Sequence, residues 1–132
     1  MENLHGSCQC GHVKFEVLVE INRVVNCHCN RCRKMNGAAL STYGVIAEDK
    51  LSIISGQLNS YRFKEGAHKH FCGHCGTAIY NINARYPGLA MIYICTLDND
   101  VLPKPTVNIY CDTQLHWLEK ITAIPSYQQH SG

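Results

Sequence analysis

Seven of the nine cysteines in this 132-residue chain fall into three tight clusters: Cys8 and Cys10, then Cys27, Cys29 and Cys32, then Cys72 and Cys75. Any fold the chain adopts must bring sulfurs from distant segments together, because no single cluster holds enough ligands for a closed metal site. A closed tetrahedral zinc site takes four protein ligands, and a catalytic one keeps three plus an open position. Seven sulfurs divide naturally into four and three.

Cys72-Gly73-His74-Cys75-Gly76 has the spacing of a zinc knuckle, in which two sulfurs of a tight turn face one ion and glycines permit positive φ angles. Cys8-Gln9-Cys10-Gly11 is its natural partner, read here as an extended segment whose alternate residues point the same way. Together Cys8, Cys10, Cys72 and Cys75 make a structural zinc site that pins the chain start to its middle. Cys27-His28-Cys29-Asn30-Arg31-Cys32 offers three more sulfurs within six residues, a catalytic zinc with an open position. His28, between two ligands on an extended strand, is expected to point to the opposite face. An inward His28 would instead close the site. The chain is thus expected to carry two Zn²⁺.

The alternative use of cysteine, a secreted disulfide framework, fits poorly: nine is odd, no export signal is visible, and the chain is long enough to build a core. A soluble cytoplasmic protein is expected, with no membrane span. The formal charge of +2 is too mild for nucleic acid as the main partner, and seven zinc-bound thiolates would shift it by about −3. No basic stripe with interleaved aromatics supports a nucleic-acid-binding ribbon.

Apolar patterning predicts a mainly β fold in a single zinc-containing domain spanning 1–132, its motif-bearing part about 4–127. His12 to Glu20 alternates cleanly, and further short strands are expected at Arg23 to Val25, Ala39 to Ile46, Leu51 to Ile54 and Leu58 to Phe63. Ala78 to Ile82, Leu89 to Leu97 and Val107 to Tyr110 complete the set. One short helical turn, Asn30 to Asn36, is expected to close at Gly37. Turns are marked by Ser55-Gly56, Glu65-Gly66 and Pro87-Gly88.

Arg31, Arg33 and Lys34 adjoin the three-cysteine cluster, where they could hold carboxylates of a thiol substrate or simply offset thiolate charge. Cys95 and Cys111 lack a ligand-spaced neighbour and read as core residues. His68 and His70 read as surface or supporting groups, with a place in the open site as the alternative. Tyr43, Tyr61, Tyr80 and Tyr93 read as half-buried strand residues, none distinguished as a site residue.

In order along the chain, Gly6-Ser7-Cys8-Gln9-Cys10-Gly11, Cys27-His28-Cys29-Asn30-Arg31-Cys32-Arg33-Lys34 and Phe71-Cys72-Gly73-His74-Cys75-Gly76 resemble the three motifs of the glutathione-dependent formaldehyde-activating family, also called the CENP-V/GFA domain. The resemblance spans Gly6 to about Trp117 and implies the Mss4-like β-tent fold. It likewise assigns Cys8, Cys10, Cys72 and Cys75 to a structural zinc and Cys27, Cys29 and Cys32 to a catalytic one. The implied activity is that of a carbon–sulfur lyase acting on a glutathione or related thiol adduct of a small aldehyde, S-hydroxymethylglutathione being the type. The alternative is a zinc-stabilised Mss4-like binding module without catalysis, whose protein partner is unknown. His70 stands where family members commonly have arginine and Asn108 where histidine is common, while Trp117 and Pro125 fit the usual tail. Substrate choice is where these differences bear.

Overall fold

The computed structural model describes residues 3–131, so Met1, Glu2 and Gly132 of the expected domain lie outside the described residues. Ten strands and one short α-helix follow in chain order: β1 Leu4–Ser7, β2 Lys14–Val17, β3 Arg23–Cys27, α1 Asn30–Asn36, β4 Ser41–Ala47, β5 Leu51–Ser55, β6 Leu58–Lys64, β7 Ala67–Cys72, β8 Ala78–Asn83, β9 Leu89–Tyr93 and β10 Val107–Ile109. The mainly β fold read from the patterning is the fold observed.

The strands form two sheets. One has three strands in the order β1-β2-β5; the other has seven, ordered β10-β3-β4-β9-β8-β7-β6. Alternate residues of β2, β4 and β9 explain the layering. Phe15 and Val17 of β2 meet Ile46 of β4 and Ala90 and Ile92 of β9 in the main core, all nearly inaccessible to water. Gly6 of β1 faces Phe15, and a Cβ there would sit 2.1 Å from the phenyl ring, so only glycine lets that ring lie against the strand. The opposite face of the large sheet carries Tyr43, Tyr93 and Cys27, a smaller buried cluster. Each face of the central strands is therefore committed to a different layer, as the period of two requires.

Several expectations need correction. The strand expected over His12 to Glu20 is ordered as a strand only at Lys14–Val17, because β1 and β5 offer pairing partners only there. Leu89 to Leu97 splits into β9 and a 3-10 turn at Ile94–Thr96. β1 and β7 were not anticipated: β1 contains glycine and little apolar surface, and β7 is polar over His68-Lys69-His70 because neighbouring strands supply its pairing. Cys95 and Cys111 are exposed, not core; each lies in a 3-10 turn that follows a strand and turns its sulfur outward. Among the described residues, no helix is long and apolar enough to cross a membrane.

Candidate metal centres

The sulfurs of Cys8, Cys10, Cys72 and Cys75 lie within 4.8 Å of one another. Two turns of similar build present them. Gly11 N–H donates to Cys8 O (3.1 Å) and Gly76 N–H to Cys72 O (2.9 Å), each glycine with φ of +82°. The first cluster is thus a turn, where an extended segment was expected. Its sulfurs can share one ion because Gly11 supplies the left-handed conformation that closes it. Backbone N–H groups of Val13 and His74 donate to Cys8 Sγ (3.1 Å) and Cys72 Sγ (3.3 Å), favouring thiolates.

Crowding splits the acidities of these thiols. The Thr77 hydroxyl and the N–H groups of Thr77 and Cys10 hold Cys75 down to about 5. The N–H of His12 pulls Cys10 down, but desolvation and hydrogen bonding with Cys8, Cys75 and Cys72 push it up to about 12. A divalent cation removes that conflict, since all four sulfurs can then be thiolates. The spacing suits zinc: a tetrahedron with Zn–S bonds of about 2.3 Å has edges of about 3.8 Å. The Cys8–Cys10 and Cys10–Cys72 sulfur separations are 3.6 and 3.8 Å.

The sulfurs of Cys27, Cys29 and Cys32 also lie within 4.8 Å of one another. Cys27 ends β3, Cys29 caps α1, and Cys32 sits in the first turn of that helix, whose N–H donates to Cys29 Sγ (3.2 Å). The helix closes at Gly37 in the left-handed conformation (φ 59°), as read from the sequence. A hydrogen bond from Cys32 and the N–H of Cys29 draw the Cys27 thiol down against its burial; sharing with Cys27 and burial push Cys32 up. Three sulfurs fit three corners of a zinc tetrahedron.

His28 turns away from these sulfurs. Its buried ring meets Asn108 Oδ1 (3.1 Å), which also accepts from Asn26 Nδ2 (3.2 Å), so Nε2 of His28 is the donor. That ties the segment between Cys27 and Cys29 to β10, together with His28 N–H donating to Ile109 O (3.1 Å).

Patterning alone left Tyr43 and Tyr93 indistinguishable from packing residues, but strand pairing places them beside the three-sulfur cluster. Tyr43 on β4 faces Tyr93 on β9, and their rings meet edge-on at 4.9 Å. The Tyr43 hydroxyl lies 3.2 Å from Cys32 Sγ. Nδ2 groups of Asn36 and Asn81 both approach that hydroxyl oxygen at 3.4 Å, while their Oδ1 atoms face the Tyr93 hydroxyl at 3.2 and 3.0 Å. With N–H groups arriving from two sides, the Tyr43 proton is directed at the sulfur. Burial, then the nearby Tyr93 and Cys32, raise the Tyr43 pKa, so the phenol remains a donor at neutral pH.

A cavity of about 440 Å³ opens on this cluster, on the face of the large sheet that carries Tyr43 and Cys27. Strands from both edges contribute, Ile109 of β10 and Phe63 of β6 among them. Cys27, Cys29, Cys32 and Tyr43 line it; none of Cys8, Cys10, Cys72 and Cys75 does. Of the cations beside the cluster, Arg31 lines the cavity, its guanidinium 6.0 Å from the Phe63 ring centre. Arg33 and Lys34 do not: Arg33 folds back onto Asn30 Oδ1, and Lys34 is exposed on the helix. His68 and His70 are also absent from the lining, and His70 stacks on Tyr80 at 4.4 Å.

The profile of the family described as glutathione-dependent formaldehyde-activating enzyme matches residues 3–113. The chain belongs to this family. Its β-tent is the two-sheet arrangement described above, with the cysteine clusters at the ends of β1, β3 and β7. A Halomonas elongata protein provisionally named glutathione-dependent formaldehyde-activating enzyme is 26% identical over 88% of this chain and 80% of its own length. A Fusarium vanettenii protein with the same provisional name is 30% identical over 67% of this chain, but the match spans only half of that longer protein. An uncharacterized lyase of Schizosaccharomyces pombe is 24% identical over 61% of this chain and 58% of its own length. A crystal structure of a Rhodobacter sphaeroides protein shares the fold, with a TM-score of 0.64 at 22% identity, covering 79% of this chain and 98% of that one.

Proposed function

We propose that this protein is a two-zinc carbon–sulfur lyase that interconverts a thiol and a small aldehyde with their hemithioacetal, glutathione and formaldehyde being the family's pair. The observation carrying the reading is the difference between the sulfur clusters: one is a closed four-sulfur set away from the cavity, and the other presents three sulfurs into it. A zinc ion held by Cys27, Cys29 and Cys32 would supply a Lewis-acid position open to an incoming thiolate.

In the lyase direction the carbon–sulfur bond breaks with its electron pair going to sulfur, the adduct's O–H becomes the aldehyde C=O, and its proton ends on the released thiol. The protein's own groups hold the reactants for this exchange. Cys27, Cys29 and Cys32 are fixed by the β3 end and by the capping of α1. Tyr43, held by Asn36 and Asn81, keeps Cys32 hydrogen-bonded throughout. Apolar side chains such as Val25, Val45 and Met91 keep bulk water from the rest of the cavity. Arg31, at the cavity wall, suits a substrate carboxylate. The nine free thiols favour a reducing compartment such as the cytoplasm.

The test follows hydroxymethyl adduct formation from isotopically labelled formaldehyde and glutathione by NMR exchange, with zinc-loaded wild type, zinc-loaded Cys29→Ser and no protein. Exchange faster than the uncatalysed reaction, lost in Cys29→Ser while its fold is retained, is the expected result. A wild-type rate equal to the uncatalysed one refutes the proposal.

A further inference from the structure

The cavity is longer than its cysteine end requires, and its far end is cationic. Four basic residues line it, Arg23, Arg31, Lys64 and Arg85, and no aspartate or glutamate does. Among the described residues, none of the four is paired with a carboxylate. Strand register separates them into two groups, Arg31 near the sulfurs and the other three away from them, with Lys64 opposite Ala67 and so in the row of Asn83. Arg31 belongs to α1, the helix that carries Cys32. Arg23 lies four residues before Cys27 on β3, which at the rise of an extended strand is about 13 Å away.

Arg23 faces Val45, Val45 faces Met91, and Met91 faces Asn81, so one row crosses the sheet at that distance from the sulfurs. Continuing along β8 leads to Asn83 and then to Arg85 in the following turn, whose N–H donates to Asn83 Oδ1 (3.0 Å). Between the sulfur end and this cationic end, Val25, Val45, Met91 and Leu89 make an apolar strip, with Asn81 and Asn83 of β8 along its side.

We propose that Arg23 and Arg85 form a carboxylate subsite at the far end of the cavity, which selects an amphipathic thiol acid: sulfur at the cysteine cluster, an apolar chain along that strip, and an anion at the arginines. This rests on the thiol reading of the three-cysteine site and narrows its substrate class. Methylene groups laid across the Val25, Val45 and Met91 surface gain by burial. An unpaired guanidinium offers a forked donor set for a carboxylate.

Calorimetric titration of the zinc-loaded protein tests this with mercaptohexanoate, with mercaptohexanol, which lacks the charge, and with heptanoate, which lacks the thiol. Mercaptohexanoate is expected to bind wild type at least about tenfold more tightly than mercaptohexanol. The double variant Arg23→Gln/Arg85→Gln, both sites exposed, should cut that preference severalfold and leave mercaptohexanol binding unchanged. Equal affinities for the two thiols in wild type, or a preference undiminished in the variant, overturns the subsite. Heptanoate binding as tightly as mercaptohexanoate, with the same arginine dependence, upholds the subsite and overturns the thiol reading instead.

Discussion

Replacing Tyr43 with phenylalanine isolates one hydrogen bond to one sulfur. The phenyl ring retains the edge-on contact with Tyr93 at 4.9 Å, so the core keeps its volume. Two things change. Cys32 Sγ loses the donor at 3.2 Å, a bond to a charged acceptor worth about 1.5–3 kcal/mol. Asn81, only 4% exposed, loses the acceptor of its Nδ2 group, whereas Asn36 Nδ2 keeps Ser41 Oγ at 2.8 Å. The first change falls on metal affinity at the three-sulfur site and corresponds to roughly 10- to 100-fold weaker binding, the range seen when partners of metal ligands are removed. The second falls on global stability, about 1 kcal/mol or somewhat more.

Competition between the protein and a chromophoric zinc chelator resolves the two ions, and cobalt substitution reports each ligand set separately. Weakening confined to the ion at Cys27, Cys29 and Cys32 is expected, with the four-sulfur ion unaffected. Unchanged affinity at the three-sulfur site, or equal loss at both, would refute the argument that the Tyr43 proton is directed at Cys32.

Other substitutions probe separate parts of the structure. Cys72→Ser removes a fully buried member of the four-sulfur set that joins residues 8–10 to 72–75, and should lower stability by more than about 4 kcal/mol in urea unfolding. Cys29→Ser should release one metal per chain and leave the circular dichroism spectrum unchanged, because a serine hydroxyl can still cap α1 by accepting from the Cys32 N–H. Phe15→Ala empties the main core under Gly6 and should cost about 3–5 kcal/mol, measured on the metal-loaded protein. Gly37→Ala forces a Cβ into the left-handed region at the end of α1 and should cost about 1–2 kcal/mol by the same assay.

Local chemistry was the most legible part of the sequence. The helix from Asn30 to Asn36 with its Gly37 stop was readable because cap and glycine are adjacent to it, and the two cysteine sets were readable because ligand number constrains them. What depended on strand register was hidden. Tyr43 and Tyr93 flank Cys32 only because β4 and β9 pair with those residues opposite one another. Alternation places them on one face without saying which face holds the sulfurs. The far cations were hidden for the same reason, since Arg23 and Arg85 are 62 positions apart and line one cavity only through the pairing of β3, β4, β9 and β8. Cys95 and Cys111 misled because a thiol's usual burial says nothing about a 3-10 turn that presents it to water. β7 escaped notice because its histidines and lysine are only partly buried, and its order comes from strands on both sides.

The account turns on an open position at Cys27, Cys29 and Cys32, and zinc-edge X-ray absorption measures it. With two zinc ions per chain, one ligated by four sulfurs and one by three, the average sulfur count should be about 3.5 per zinc and rise to about 4 on saturation with glutathione. One zinc per chain, or a sulfur count that glutathione leaves unchanged, would contradict it.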